Sequence, residues 1–303
     1  MGVFQLVRSA AGLVTVTRGA RAVAKAKTAK QTKSPGPETL PAALGPYRAP
    51  TTPLGEAAAA LRDALKGYPD RAPSGDVAFI LNPLEYAWER HLDYLERHAA
   101  PRVEAVFLGM NPGPWGMAQT GVPFGSPDLV REFLGISGPV RPVPKTHASR
   151  PILGFTGDRT EVSGQRLWGG VRQCFGTPAP FFARFFVLNY CPLVLQSESG
   201  SNVTPDKVPG ELLKDAFAAC DAHLAAALKL LRPRTVIGVG AWATKQAARV
   251  VEQHDLSAAI GTILHPSPAS PAANRGWLQA VRSQLEALGH PWPAPTDRAH
   301  RMT

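Results

Sequence analysis

Four runs of apolar residues stand out along the central part of the chain. They cover Glu104–Met110, Arg184–Tyr190, Thr235–Gly240 and Ile260–Leu264. Each run is continuously apolar instead of alternating with polar positions, which is typical of parallel strands covered on both faces of a sheet. The pattern therefore predicts a buried sheet of four strands.

Segments with apolar residues at helical spacing lie around these runs. The predicted helices are Pro83–Ala99, Gly210–Leu231, Trp242–His254 and Ala273–Leu288. Strands that alternate with helices require crossover connections, which cover a parallel sheet with helices. We expect an α/β fold of three layers, α/β/α, around a central, mostly parallel four-stranded sheet.

Composition excludes several classes of protein. The chain has 303 residues, of which 44% are hydrophobic and 18% are charged, so it can bury a core and is not disordered throughout. No run approaches the roughly 18 consecutive apolar residues of a membrane span. Its three cysteines (Cys174, Cys191 and Cys220) form no CxxC pair, which excludes zinc fingers and four-cysteine iron–sulfur clusters. We expect no metal, no cofactor and chemically quiet thiols in a reducing compartment.

The positive charge is concentrated at the N-terminus. Residues 1–37 contain seven Lys or Arg and no acid, so they carry +7 of the net charge of +10. We divide the chain into a basic arm (1–50), a globular domain (51–289) and an irregular C-terminal tail (290–303). The arm is either a flexible segment with affinity for phosphates or a targeting segment.

Turn residues and polar side chains follow the predicted strands at one edge of the sheet. These stretches are Asn111–Pro114, Asn189–Pro192, Gly240–Trp242 and His265–Pro268. Ligands of open α/β sheets bind beyond the carboxyl ends of the strands. We therefore expect the functional site to be built from these four stretches.

The first of these stretches belongs to a longer segment rich in glycine and proline, Gly109–Gly125, with the sequence GMNPGPWGMAQTGVPFG. Its glycines permit close approach of a ligand and its prolines fix the loop before binding. Phe124 can stack on a planar ring, or it can be a core residue under a surface loop. No GxGxxG or GxxxxGK[ST] motif is present, so dinucleotide and P-loop interpretations fail.

Two further side chains have alternative interpretations. Asn189 offers an adjacent donor and acceptor that match the O4/N3–H edge of uracil, or it caps a turn. His265 opens the segment HPSPASPAANRGW and is either catalytic or structural. Ser267 and a helix beginning near Ala272 can hold phosphates in that loop.

These segments resemble the single-strand-selective monofunctional uracil-DNA glycosylases of the uracil-DNA glycosylase superfamily. GMNPGPWGMAQTGVPFG is similar to the first motif of that family, with Trp115 where Phe is usual, and HPSPASPAANRGW is similar to the second. The segments NPLEYAWERH, EVSGQRLWG, NYCPL, SNVTP and IGVG are also similar. The resemblance covers roughly residues 83–289.

The resemblance implies a role for each matching residue. Asn111 would position the attacking water, and His265 would stabilise the departing uracil anion. The base would be bound by Met110, Gly113, Met117, Phe124 and Asn189, with Gly113 and Met117 holding a water near C5. The DNA would contact Ser267, Pro268, Asn274, Arg275 and Lys207, and more broadly the Ser199–Leu213 segment. Ala269 stands where the family often has Arg.

The implied function is that of a monofunctional DNA glycosylase of base excision repair. It would hydrolyse the N-glycosidic bond of uracil, and of 5-hydroxymethyluracil, in single- and double-stranded DNA and leave an abasic site. The first motif lacks a carboxylate, which suits a dissociative path, and neither motif supplies a lysine nucleophile for strand cleavage. The alternatives are a glycosylase of the same fold that prefers xanthine or hypoxanthine, and a catalytically weak nucleic-acid-binding protein.

The partners and the location follow from the same interpretation. We expect a monomer that acts on DNA containing uracil or an oxidised pyrimidine and does not bind a membrane. It would be cytoplasmic, at the nucleoid, in a bacterium and nuclear in a eukaryote, or mitochondrial if the basic arm is a targeting segment.

Overall fold

The computed structural model describes residues 45–296, which form one compact unit. The predictions for the basic arm before residue 45 and for the last seven residues lie outside the described part of the chain. Within residues 45–296, no helix is long and apolar enough to cross a membrane.

The centre of the fold is the predicted four-stranded sheet. It consists of β2 (Ala105–Gly109), β3 (Phe185–Asn189), β5 (Thr235–Val239) and β6 (Ala259–Ile263) in the order β3-β2-β5-β6. All three strand pairs are parallel, and each predicted strand agrees with an observed one to within one residue at either end. The α/β prediction is confirmed.

A second, smaller sheet was not predicted. β1 (Phe79–Leu81) pairs antiparallel with β4 (Val194–Gln196), and each strand has only three residues. Runs this short do not establish a periodicity that a sequence pattern can reveal.

Eleven α-helices occur among the described residues, and six of them form two packed groups. α1 (Pro53–Ala64), α8 (Gly210–Leu231) and α9 (Ala241–Gln253) form one group, and α6 (Val162–Phe175), α7 (Pro178–Phe182) and α11 (Trp277–Ala287) form the other. The remaining helices are α2 (Pro83–Tyr86), α3 (Trp88–His98), α4 (Met117–Thr120), α5 (Pro127–Glu132) and α10 (Pro271–Asn274).

Two predicted helices are each interrupted. The segment predicted as Pro83–Ala99 breaks at Ala87, whose carbonyl oxygen lies against Gly121 of the first motif. The segment predicted as Ala273–Leu288 begins two residues earlier and breaks at Gly276, which has φ 147°. Apolar periodicity continues across both breaks, so the sequence did not reveal them.

The two ends of the described chain are packed onto the fold. Arg48, within the predicted arm, bonds Asp93 of α3 at 2.7 Å and accepts the Trp88 indole N–H through its carbonyl oxygen at 2.8 Å. At the other end, Trp292 is 5% exposed and contacts the rings of three phenylalanines (Phe107, Phe175 and Phe181). Residues 290–296 have no regular secondary structure, but His290 and Trp292 are buried in the fold.

Candidate active site

The loops that follow β2, β3 and β6 surround a cavity of about 390 Å³ at the carboxyl edge of the sheet. All seven residues predicted to be catalytic or to bind the base line this cavity: Met110, Asn111, Gly113, Met117, Phe124, Asn189 and His265. Ser267 and Pro268, predicted to contact DNA, lie at the same cavity. The structure thus brings together segments that are more than 150 residues apart in sequence.

Gly109 allows two of these side chains to meet. It pairs with Asn189 across the β2–β3 ladder. A Cβ atom at Gly109 would overlap Asn189 Oδ1 and lie 2.6 Å from Phe124 Cε2. Only a residue without a side chain fits there, and the amide and the phenyl ring occupy the space that it leaves. Phe124 has φ 54°, a left-handed conformation that is uncommon outside glycine.

Each of the two carboxamides that line the cavity, Asn111 and Asn189, has a buried polar atom without a partner. Asn189 Nδ2 donates to Met117 Sδ at 3.2 Å, while its Oδ1 is buried and has no partner among the described residues. The same holds for Asn111 Nδ2. Leaving a buried polar atom unpaired costs about 1–3 kcal/mol. These atoms therefore favour a polar ligand or water in the cavity.

His265 is held as a neutral hydrogen-bond donor. Its Nδ1 accepts the Ser267 backbone N–H at 3.0 Å, so the proton of the neutral ring resides on Nε2. Burial lowers the pKa of His265 below its usual value of 6.5. The neutral imidazole can donate one hydrogen bond from Nε2 without introducing a charge.

Helix α6 supports both motifs. Its Trp168 donates from the indole nitrogen to the Pro123 carbonyl at 3.0 Å, and Gly164 packs directly on the Phe124 carbonyl oxygen. Arg166 donates to the carbonyl oxygens of Pro266 and Ser267 at 3.1 and 3.0 Å. One helix therefore fixes two loops relative to each other: the loop after β2 that carries Phe124, and residues 265–274, which we call the histidine loop.

A buried glutamine braces the first motif from behind. Gln119 Nε2 donates to the carbonyl oxygens of Pro114 and Pro151, at 2.9 and 3.1 Å. Its Oε1 accepts the backbone N–H groups of Leu153 and Gly154, at 2.8 and 3.1 Å. With all four of these bonds made, Gln119 ties the loop after β2 to the 151–154 segment.

The site contains a carboxylate that was not predicted. The first motif has none, but Glu161, immediately before α6, lines the cavity and accepts the Trp115 backbone N–H at 3.1 Å. Burial raises the pKa of Glu161, and the Trp115 hydrogen bond opposes that rise. The first motif itself contains no carboxylate, as predicted, and this one comes from a segment outside that motif. The only signal was its place in the EVSGQRLWG segment, which does not reveal which way the side chain points.

Three residues predicted to contact DNA lie outside the cavity. Asn274 and Arg275 line a neighbouring groove of about 500 Å³, and Lys207 is exposed beside the cavity-lining Thr204. Both polar atoms of the Asn274 amide are engaged, because Oδ1 accepts from Arg166 at 2.7 Å and Nδ2 donates to the Pro268 carbonyl at 2.9 Å. In this structure Asn274 braces the loop that carries His265, and its contact with DNA stays a prediction.

The fold and the site correspond to one class of protein. The sequence model described as the Uracil DNA glycosylase superfamily matches residues 96–286. The structure is similar to the crystal structure of wild-type Pedobacter heparinus SMUG2, with a TM-score of 0.52 over 76% of this chain and 98% of that chain. At 18% identity, this likeness shows the fold alone.

Similar proteins of known name identify the family within this superfamily. The chain is 45% identical over 213 residues to the single-strand selective monofunctional uracil DNA glycosylase of Bos taurus, covering 70% of this chain and 78% of the relative. The corresponding Mus musculus protein is 41% identical over 263 residues, 83% and 94% of the two chains. The Rattus norvegicus protein is 46% identical over 213 residues, 70% and 77% of the two chains. The chain belongs to the uracil-DNA glycosylase superfamily and, within it, to the family of single-strand selective monofunctional uracil-DNA glycosylases.

Proposed function

We propose that this protein hydrolyses the N-glycosidic bond between uracil and deoxyribose in DNA and leaves an abasic site. The observation that carries the proposal is the cavity that Phe124, Asn189, His265 and Asn111 share, with buried amide atoms left unpaired. A flat apolar face beside a donor–acceptor pair is the environment that a pyrimidine base requires. The relatives at 41–46% identity are monofunctional uracil-DNA glycosylases by name, which supports the proposal.

Base recognition is assigned to Phe124 and Asn189. The phenyl ring stacks on the flipped base, an interaction worth about 1–3 kcal/mol. Asn189 Oδ1 accepts N3–H of uracil, and Nδ2 exchanges the Met117 sulfur for O4 of the base. Cytosine presents the reverse order of donor and acceptor. The Asn189 oxygen would then face an acceptor and its nitrogen a donor, so neither hydrogen bond could form.

Bond cleavage is assigned to His265 and Asn111. As the C1′–N1 bond breaks, the electron pair moves to uracil and negative charge develops on O2, where the Nε2–H of His265 donates. A preorganised donor of this kind is worth about 10²–10³ in rate. Asn111 orients the water that attacks C1′ of the sugar cation, for which a neutral amide suffices.

DNA binding is assigned to the rim of the cavity. Ser267 and Pro268 form the loop that fills the space of the extruded base, and Arg275 and Lys207 are exposed cations that can meet phosphates. Extrusion costs a few kcal/mol from a paired duplex and least from single strands. We therefore expect activity on both forms of DNA.

The test uses an oligonucleotide with one uracil, incubated with the protein and then heated in alkali. We expect cleavage by the wild type, loss of at least 10²-fold in His265→Leu and a reduced rate in Asn111→Ala. His254→Leu, an exposed histidine at the end of α9, is the matched control. Binding of the oligonucleotide without release of uracil would refute the proposal that the protein is an enzyme. Efficient strand cleavage without alkali would refute the assignment of a monofunctional one.

A further inference from the structure

Trp115 lines a second pocket beside the active-site cavity. Its neighbours in sequence, Pro114 and Gly116, line the active-site cavity. Trp115 itself lines a pocket of about 250 Å³, together with Gln119 and residues of the 148–159 segment. Gln119 ties that segment to the loop after β2, so one braced loop borders both pockets. The second pocket therefore begins within one residue of the active-site cavity.

Two arginine side chains lie against the indole ring of Trp115. The Cζ atoms of Arg159 and Arg150 are 4.7 and 5.3 Å from the ring centroid. Cations are attracted to the face of an indole ring, and this contact limits the directions in which the planar guanidinium groups can point. The ring thus collects two positive charges beside the active-site cavity.

Neither arginine is neutralised by a carboxylate within residues 45–296. Arg159 is exposed, and the ring contact is the one interaction that it makes there. Arg150 donates from Nε to the Gly200 carbonyl at 3.0 Å, which leaves its two Nη groups without a hydrogen-bond partner in the same part of the chain. Asp158 also lines the pocket but forms no ion pair with either arginine among these residues. Because two like charges near one ring repel each other, the pair favours an anion that contacts both.

The Arg150 hydrogen bond connects the second pocket to the active-site cavity by another route. Gly200 belongs to a turn (197–201) that leads directly into Asn202 and Thr204, both of which line the active-site cavity. Arg150 thus contacts two segments that border the cavity, the loop after β2 and the segment after β4. A DNA strand that delivers a base into the cavity passes over this border, and its phosphates carry the negative charge that the arginines lack.

We propose that Arg159 and Arg150, held on the Trp115 ring, bind a backbone phosphate of the DNA strand whose base occupies the active-site cavity. This inference rests on the proposed function, which supplies the strand. A guanidinium group donates two parallel hydrogen bonds to phosphate oxygens, and the indole contact orients it before DNA binds. The contact does not read the base sequence, but it fixes the position of the strand relative to the cavity.

The test measures binding of the full chain to single-stranded oligonucleotides that carry a tetrahydrofuran abasic-site analogue in place of deoxyuridine, so that no base is released. One phosphate at a time, on either side of the analogue, is replaced by a neutral methylphosphonate. The proteins compared are the wild type, Arg159→Gln and the control Arg234→Gln. Arg234 is exposed immediately before β5, at the end of that strand away from the cavity, and its substitution removes the same charge.

The expected result is a coupling between Arg159 and one phosphate. In the wild type, neutralising the contacted phosphate should weaken binding by roughly 3- to 10-fold. Arg159→Gln should weaken binding of the unmodified oligonucleotide to a similar extent, and neutralising that phosphate should then have no further effect. The slope of log Kd against log salt concentration should be shallower in this variant by about 0.7, the value for one phosphate contact to a single strand. Arg234→Gln should retain the full loss at that phosphate.

A purely structural role for Arg159 predicts a different result. A loosened Trp115 loop would weaken binding by the same factor whichever phosphate is neutral, so independent effects at all positions would overturn the proposal. Arg159→Lys keeps the charge and should restore the salt dependence, and failure to restore it would also contradict a phosphate contact. Because the readout is binding alone, a wild type that shows the coupling but releases no uracil from the matching substrate would refute the proposed function and not this contact.

Discussion

Replacing Arg166 with Met should impair catalysis through the histidine loop while leaving the fold intact. Arg166 makes three hydrogen bonds to that loop, to Pro266 O at 3.1 Å, Ser267 O at 3.0 Å and Asn274 Oδ1 at 2.7 Å. Bonds from a charged donor contribute about 1.5–3 kcal/mol each when buried. Because this guanidinium is partly exposed, we assign about 1 kcal/mol to each hydrogen bond. The loop carbonyls regain hydrogen bonds to water in the variant, so we expect the substitution to cost a net of about 2 kcal/mol.

That loss should appear in the rate. The loop carries His265, and a donor that must meet O2 in the transition state loses its effect when its support moves. A loss of about 2 kcal/mol corresponds to roughly a 30-fold lower kcat/KM. Met keeps an unbranched aliphatic side chain at this helical position, so the thermal unfolding midpoint should change by only a few degrees.

Arg172→Met is the matched control on the same helix. Arg172 is exposed, and its ion pair with Glu132 is 3.9 Å long, so its removal should cost little. The assay is single-turnover excision of uracil by both variants, accompanied by thermal unfolding. An Arg166→Met rate within threefold of that of Arg172→Met would show that Arg166 does not position the catalytic loop.

Three further predictions concern stability, recognition and DNA affinity. Burial lowers the pKa of His91 and of His223 to about 4. The stability that these neutral rings contribute is therefore present above pH 6.5 and is lost as the pH falls towards 4. The free energy of urea unfolding should be lower at pH 5 than at pH 7.5 by about 2 kcal/mol per histidine, and equal values would contradict the assignment. Asn189→Asp should slow uracil excision at least 10-fold, because a carboxylate cannot donate to O4; unchanged uracil kinetics would remove Asn189 from base recognition. Deleting residues 1–44 removes seven basic residues and Glu38, a net charge of +7 − 1 = +6. The shortened protein should bind DNA more weakly and with a shallower dependence on salt, and an unaltered slope in a binding titration would exclude phosphate contacts by the arm.

The buried elements of the fold could be predicted because their own residues specify them. The four continuous apolar runs became the four parallel strands, and Gly210–Leu231 became α8 with the predicted bounds. The breaks at Ala87 and Gly276 could not be predicted in this way. The first coincides with the packing of the Ala87 carbonyl against Gly121, a contact that exists only once the chain has folded.

The site was predicted in part, for a related reason. Asn111 and His265 follow strands and Asn189 ends one, and the rule that ligands bind at the carboxyl edge brings them near each other. The order β3-β2-β5-β6 decides which loops become neighbours, and no single segment encodes it. Glu161 was missed because a glutamate before a helix is ordinarily solvated, and its burial depends on the glycines of a loop about 45 residues earlier.

The distribution of hydrogen bonds within the site separates its rigid parts from its receptive ones. In the histidine loop the polar groups are bonded internally: Ser267 Oγ accepts the Ala269 N–H at 3.1 Å, and Asn274 bonds Arg166 and Pro268. In the cavity, by contrast, Asn111 Nδ2 and Asn189 Oδ1 lack partners among the described residues. In the proposed function this loop enters the duplex, and it keeps its shape because its hydrogen bonds are already made. A pocket that must select one base instead leaves open the bonds that the correct base completes, so a wrong base incurs the full cost of leaving them unpaired.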